Sequence, residues 1–136
     1  MPKLEVAILA LTNISDLSPL ANCPNLDYLE IFTSKVTDLS PLANCKNLKH
    51  LNISNLKRLT DLTPLYGLTN LERLRIVSCP RVPREQLEEF SRLVPGCAIL
   101  TKDKDETDGG WRYDANGQVP RYKLLREQLQ YGNGKY

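Results

Sequence analysis

The residues that could do chemistry are few, and their spacing limits what they could do. His50 is the single histidine of the chain, so any Ser-His-acid triad has to use it. It falls between Leu48 and Leu51 on the outward side of an expected strand, where a lone exposed imidazole reads as a surface contact rather than a base. The four cysteines, Cys23, Cys45, Cys79 and Cys97, contain no C-x-x-C pair. Zinc would want close thiol pairs or more histidines, while even parity leaves a disulfide framework open. Glu88 and Glu89 are adjacent on an expected helix and read as a solvated face. Asp103, Asp105 and Asp108 precede Gly109, but a calcium loop needs its glycine at the sixth position and a late glutamate, which this spacing lacks. No phosphate-cradling glycine loop, nucleophile elbow or metal-binding helix motif is found. The sequons at Asn13 and Asn52 matter only on a eukaryotic secretory route, to which nothing points. The expectation is a protein that is not an enzyme and needs no cofactor.

Bulk composition agrees with a soluble domain. The chain has 136 residues, 41% hydrophobic and 25% charged, enough for one core. Lys and Arg number 18 against 16 Asp and Glu, a net charge of +2 that gives no global reason to expect nucleic acid or an anionic membrane. No run approaches the roughly 18 apolar residues of a membrane span. The apolar run Val6 to Leu11 is too short for a convincing signal-peptide core. The chain therefore reads as cytoplasmic, or as a piece of a longer exported protein.

Self-comparison exposes the elements that must position these residues. Leu26-Asp-Tyr-Leu29-Glu-Ile31 recurs as Leu48-Lys-His-Leu51-Asn-Ile53 and Leu71-Glu-Arg-Leu74-Arg-Ile76, at offsets of 22 and 23. Leu4-Glu-Val-Ala7-Ile-Leu9 fits the same frame upstream. Asp16-Leu-Ser-Pro-Leu-Ala-Asn-Cys23 reappears as Asp38-Leu-Ser-Pro-Leu-Ala-Asn-Cys45, and loosely as Asp61-Leu-Thr-Pro-Leu-Tyr-Gly-Leu68. In L-x-x-L-x-L the apolar residues alternate as in a strand with one buried face. Proline then ends the strand, and Asp and Ser favour turn and cap geometry. Each unit is one short strand plus a tight return with a helical or 3₁₀ turn. A single coil cannot bury its leucines, so the coils must stack into a parallel sheet over one continuous core. Cys23 and Cys45 share one repeat position with Leu68, so each reads as a buried thiol acting as a small hydrophobe, with a stacked disulfide or metal pair as the alternative.

This pattern resembles the leucine-rich-repeat family, and the 22-residue unit with D-L-S-P-L is most similar to the internalin-type bacterial subclass. The resemblance covers roughly residues 4–100. It implies an α/β solenoid with a parallel sheet on the concave side and 3₁₀ or helical turns on the convex side. The family's strand-end asparagine is replaced by Thr12, Ser34 and Cys79, and Asn55 stands beside a one-residue insertion.

Three segments follow. Residues 1–100 form the solenoid with its C-terminal cap, 101–110 a polar linker, and 111–136 a tail. In the cap, Pro83 opens a helix reaching Val94, with Leu87, Phe90 and Val94 on one face. Pro95-Gly96 stops it, and Cys97 to Leu100 can add a last parallel strand. In the tail, Trp111 to Tyr113 reads as a short strand and Asp114 to Gly117 as a turn. Pro120 then opens a helix from Arg121 to Tyr131 whose stripe of Tyr122, Leu125 and Leu129, with Leu124 beside it, must pack on the solenoid or a partner. The tail resembles those that follow such repeats in bacterial proteins, and that resemblance implies no activity.

Strand residues between the buried leucines should point to the concave face. Those are Val6, Ile8 and Ala10; Tyr28, Glu30 and Phe32; His50, Asn52 and Ser54; Arg73, Arg75 and Val77. The candidate partner-binding residues are Tyr28, Glu30, Phe32, His50, Asn52, Arg73 and Arg75, aromatic and basic types suited to protein contacts. A tail folded back across Tyr28 and Phe32 is the competing expectation. A protein-interaction scaffold is the leading function. A structural or self-associating domain comes second, because Val6, Ile8 and Ala10 make the first strand apolar on both faces at an uncapped edge. Nucleic-acid binding is remote: Arg73, Arg75, Arg81 and Arg84 form a basic patch without interleaved stacking aromatics.

Overall fold

The computed structural model describes residues 3–101, so the expected linker, its aspartates and the tail lie outside the described residues. Five three-residue strands follow one another: β1 (Val6–Ile8), β2 (Tyr28–Glu30), β3 (His50–Asn52), β4 (Arg73–Arg75) and β5 (Ala98–Leu100). All neighbours are parallel and in chain order, β1-β2-β3-β4-β5. Three 3₁₀ turns, η1 (Ser18–Asn22), η2 (Ser40–Asn44) and η3 (Thr63–Leu65), make the returns between strands. The helix α1 (Arg84–Leu93) makes the last one. This is the expected solenoid.

The D-L-[ST]-P stretch works as its residue types dictate. Asp16, Asp38 and Asp61 each accept the backbone N–H two residues on, at 2.8, 2.8 and 2.9 Å, and so start the turn. The proline sits in the first 3₁₀ turn, where its missing N–H costs nothing. At Asp38 the hydrogen bonds from Ser40, the backbone one foremost, hold the carboxyl below its ordinary range. A second ladder runs between coils: Asn47 Nδ2 donates to the Pro24 carbonyl and Asn70 Nδ2 to that of Lys46, both at 2.9 Å.

The departures from the family's strand-end asparagine find a physical account here. Thr12 Oγ1 donates to the Leu9 carbonyl and Ser34 Oγ to that of Ile31, both at 2.7 Å, while Cys79 Sγ donates to Ile53 at 3.1 Å. Hydroxyl and thiol donors therefore secure the bend. At the same step of every coil one residue takes a left-handed backbone: Leu11 (φ 59°), Thr33 (53°), Asn55 (60°) and Ser78 (60°). The extra residue of the third coil is absorbed by a turn in which Leu59 N–H donates to Leu56 carbonyl at 3.2 Å, with both leucines buried.

One core runs the length of the stack, built from Leu29, Leu51 and Leu74 of the sheet and Leu17, Leu20, Leu39, Leu42, Leu62 and Leu65 of the turns. Cys23 and Cys45 belong to it, free and fully buried, as expected of small hydrophobes. At the C-terminal end α1 sends Phe90 and Val94 into the core, with Leu87 half-buried. Gln86 and Tyr66 join the cap to η3: Gln86 Oε1 accepts Leu62 N–H at 2.7 Å, and Tyr66 Oη donates to the Gln86 carbonyl at 3.3 Å. At the other end a cavity of about 410 Å³ opens against Leu4, Ala7, Leu9, Ile14, Leu17 and Leu20. There Ile8 and Leu11 are exposed.

Candidate interaction face

The sheet register sets the outward side chains in two rows. One runs Val6, Tyr28, His50, Arg73, Ala98; the other runs Ile8, Glu30, Asn52, Arg75, Leu100. Neighbouring members of a row are held about 4.8 Å apart by the ladder, so their side chains must interact. Tyr28 and His50 do so as rings, with centroids 5.4 Å apart and planes inclined at 36°. Tyr28 Oη also donates to Glu30 Oε1 at 3.2 Å, crossing between the rows. Ser54 is a hub one step on: its Oγ accepts from Arg75 Nη1 at 3.0 Å and from Val77 N–H at 2.9 Å, and its own N–H donates to Asn52 Oδ1 at 3.1 Å. Backbone bonds past the strands, such as Thr33 N–H to Ser54 carbonyl at 2.9 Å, keep this third step in register.

Burial departs from the simple expectation. His50, expected as an exposed outward side chain, is only 8% exposed; Tyr28, Glu30 and Asn52 are 2% exposed and Arg75 4%. Strands β2 and β3 are thus buried on both faces. Arg73 and Phe32 are half-buried. On β1 the alternation is as expected, with Ala7 inward and Ile8 outward, while Val6 and Ala10 are half-buried and Ala10 lies in the turn beyond the strand. Burial of Asn52 also removes it as an accessible sequon. Tyr28, with Val6 and Leu100, forms an apolar group separate from the main core.

The remaining reactive types are held quiet. Burial, with Cys23 a smaller contributor, raises the Cys45 thiol, and Cys45 Sγ donates to the Leu20 carbonyl at 3.4 Å. Burial raises Cys79, and it pushes Cys97 up to about 12 against the opposing Arg73 guanidinium. Glu88 and Glu89 pair with Arg84 and Arg92 along the outer face of α1, as a solvated helix face should. Among the described residues no three His, Cys, Asp or Glu side chains are grouped to hold a metal ion, and no helix is long and apolar enough to cross a membrane.

Residues 2–44 match the family described as Leucine Rich repeats (2 copies). The repeated coil geometry of the described residues agrees with that match. The chain carries leucine-rich repeats of an internalin-like kind. Among solved structures, internalin C2 of Listeria monocytogenes is similar at 30% identity and a TM-score of 0.61, over 71% of this chain and 40% of that one. A leucine-rich-repeat protein of Leptospira interrogans aligns at 25% identity and a TM-score of 0.43, over 64% of this chain and 28% of that one. The repeat protein thus spans less than half the length of either relative. No curated protein matches it. Its repeats are internalin-like, and proteins of this architecture commonly serve as interaction scaffolds and are typically non-catalytic.

Sequence reasoning brought the two rows to the right face, but it did not single out Ser54 as the group joining Arg75 to the next coil. The signal was present: a small hydroxyl one step beyond Asn52, in line with Phe32 and Val77. The asparagine ladder through Asn47 and Asn70 was equally visible as the N-L pair that opens the second, third and fourth units.

Proposed function

We propose that this repeat protein is a non-catalytic scaffold that binds a protein partner through the concave face of its sheet. The observation that carries the reading is the pair of registered rows, in which Tyr28, His50 and Arg73 stand beside Glu30, Asn52 and Arg75. Aromatic and guanidinium groups on rigid strands lose little conformational freedom on binding and supply the largest contact energies. Partner capture compares the wild type with Arg73→Glu and Phe32→Ala, both half-buried positions, and with Lys46→Glu and Lys57→Glu on exposed turns. The reading requires a protein, retained after nuclease treatment, that is lost with the first pair and kept with the second. Equal retention by all four variants would refute it, and a nuclease-sensitive capture would favour nucleic acid.

A second reading, self-association through the N-terminal edge, is favoured by the open apolar cavity at η1 and by Ile8, which is 43% exposed on the outward side of β1. An edge strand with apolar neighbours is a ready template for pairing with a second chain.

A further inference from the structure

Each coil bends after its strand at a residue with a left-handed backbone, and the charge that follows this bend differs from coil to coil. The first coil has Asn13 there, the second Lys35, and the third both Lys57 and Arg58. The two cations of the third coil come with its extra residue. They form the exposed tip of the turn that Leu59 N–H closes on the Leu56 carbonyl, and the two leucines anchor that tip in the core. Thr33 N–H donates to the Ser54 carbonyl at 2.9 Å, which holds the second and third bends in adjacent steps of the stack. Adjacent steps are about 4.8 Å apart.

A cavity of about 360 Å³ opens between these two bends, lined by Ser34, Lys35, Val36, Thr37, Lys57 and Arg58. That is the size of a small-ligand site. Its charged residues are all of one sign. Lys35, Lys57 and Arg58 are exposed, and none of their side chains forms an ion pair or hydrogen bond with another described residue. The carboxylates that follow in each coil are committed elsewhere: Asp38 accepts the Ser40 N–H and Asp61 the Thr63 N–H, starting the next 3₁₀ turns. Ser34 Oγ donates to the Ile31 carbonyl, whereas the exposed Thr37 hydroxyl can donate into the cavity.

Three like charges around one cavity repel one another, and an anion seated among them relieves that repulsion. A phosphate monoester suits this donor set best. It carries close to two negative charges and three acceptor oxygens. Two ammonium groups, one guanidinium fork and one hydroxyl can meet them. A single carboxylate brings half the charge and fewer acceptors. A nucleic-acid strand would want aromatic side chains on which to stack its bases, and the lining has none.

We propose that this cavity binds a phosphate monoester, held by Lys35, Lys57 and Arg58 with Thr37 as the neutral donor. The site lies on the bends beyond β2 and β3 and does not rest on the scaffold reading. A partner lost with Arg73→Glu but kept with Lys57→Glu belongs to the sheet face alone, so the two readings fail separately.

The test follows amide chemical shifts of the full, isotopically labelled chain at an ionic strength fixed with sodium chloride. The probes are inorganic phosphate, phosphoserine with blocked termini, a blocked diglutamate of equal charge, and a single-stranded oligonucleotide. The proposal requires saturable shifts centred on residues 34–37 and 57–58 with phosphoserine, at lower concentration than with diglutamate. Affinity should fall at least about tenfold in the double variant Lys57→Glu/Arg58→Glu. It should persist in Arg81→Glu, because Arg81 stands at the same step of the next coil without lining the cavity. All three positions are exposed, and circular dichroism checks that each variant is folded. Inorganic phosphate binding as tightly as phosphoserine assigns the site to free phosphate, and weaker binding assigns it to a phosphate carried on a larger group; either result supports the proposal. Shifts that do not saturate, an equal loss in Arg81→Glu, or diglutamate or oligonucleotide binding as tight as phosphoserine would overturn it.

Discussion

Replacing the equivalent leucines of two successive coils by alanine should give unequal losses of stability. Leu20 and Leu42 occupy the same turn position 22 residues apart, at 4% and 0% exposure. Leu→Ala removes three carbons, and at about 0.8 kcal/mol per buried methylene the transfer loss alone is about 2.4 kcal/mol. Leu42 lies between two coils, so its removal also leaves a closed void that adds about 1–2 kcal/mol, for a total near 4. Leu20 already borders the open cavity of about 410 Å³. Water or neighbouring side chains can enter the space it vacates, and its loss should stay at about 2 kcal/mol. Urea denaturation followed by circular dichroism, extrapolated linearly to water, measures both values. A Leu20→Ala loss equal to or larger than that of Leu42→Ala would mean that the N-terminal coil is sealed, and would refute the open-end description.

Three further outcomes are expected. Thr33→Asn should stabilise the protein by about 0.5–1 kcal/mol, because a β-branched residue is strained at a positive φ that asparagine tolerates; a loss of stability would show that the Thr33 side chain contributes something the bend requires. Burial raises the Cys97 thiol from its ordinary 9.0 to about 12, so the folded chain holds that proton more tightly than the unfolded one; stability should be full below pH 9.0, fall as pH rises from there toward 12, and fall less in Cys97→Ala, as thermal melts across this range would show. Ile8→Lys should convert a dimer to a monomer in sedimentation if the N-terminal edge pairs two copies, and a wild type that is monomeric at high concentration would eliminate that second reading.

The period of 22 to 23 residues made most of the fold legible before any coordinates. Leu29, Leu51 and Leu74 announce the strands, the D-L-[ST]-P stretches announce the 3₁₀ turns, and Leu87, Phe90 and Val94 announce the capping helix. Alternation on β2 and β3 also said which residues face outward. It did not say how deeply they are buried, since a strand pattern records two sides and not how the outward side chains pack on one another. That is why His50 read as exposed. The bend after each strand was illegible for a different reason. Its left-handed residue is Leu11, Thr33, Asn55 or Ser78, and its side-chain donor is Thr12, Ser34 or Cys79, so the backbone geometry recurs while the residue type does not.

Chemical modification of His50 tests the central claim, that the outward rows of the sheet form one tightly packed surface, most directly. It is the single histidine, it stands in the middle of the row between Tyr28 and Arg73, and it is 8% exposed. Carbethoxylation by diethyl pyrocarbonate near neutral pH, followed by intact mass and peptide mapping, should proceed at least about tenfold more slowly in the native chain than in urea, because the imidazole is packed against Tyr28 and reacts only on local opening. A native rate equal to that of the unfolded chain would place His50 on an open face and contradict the account.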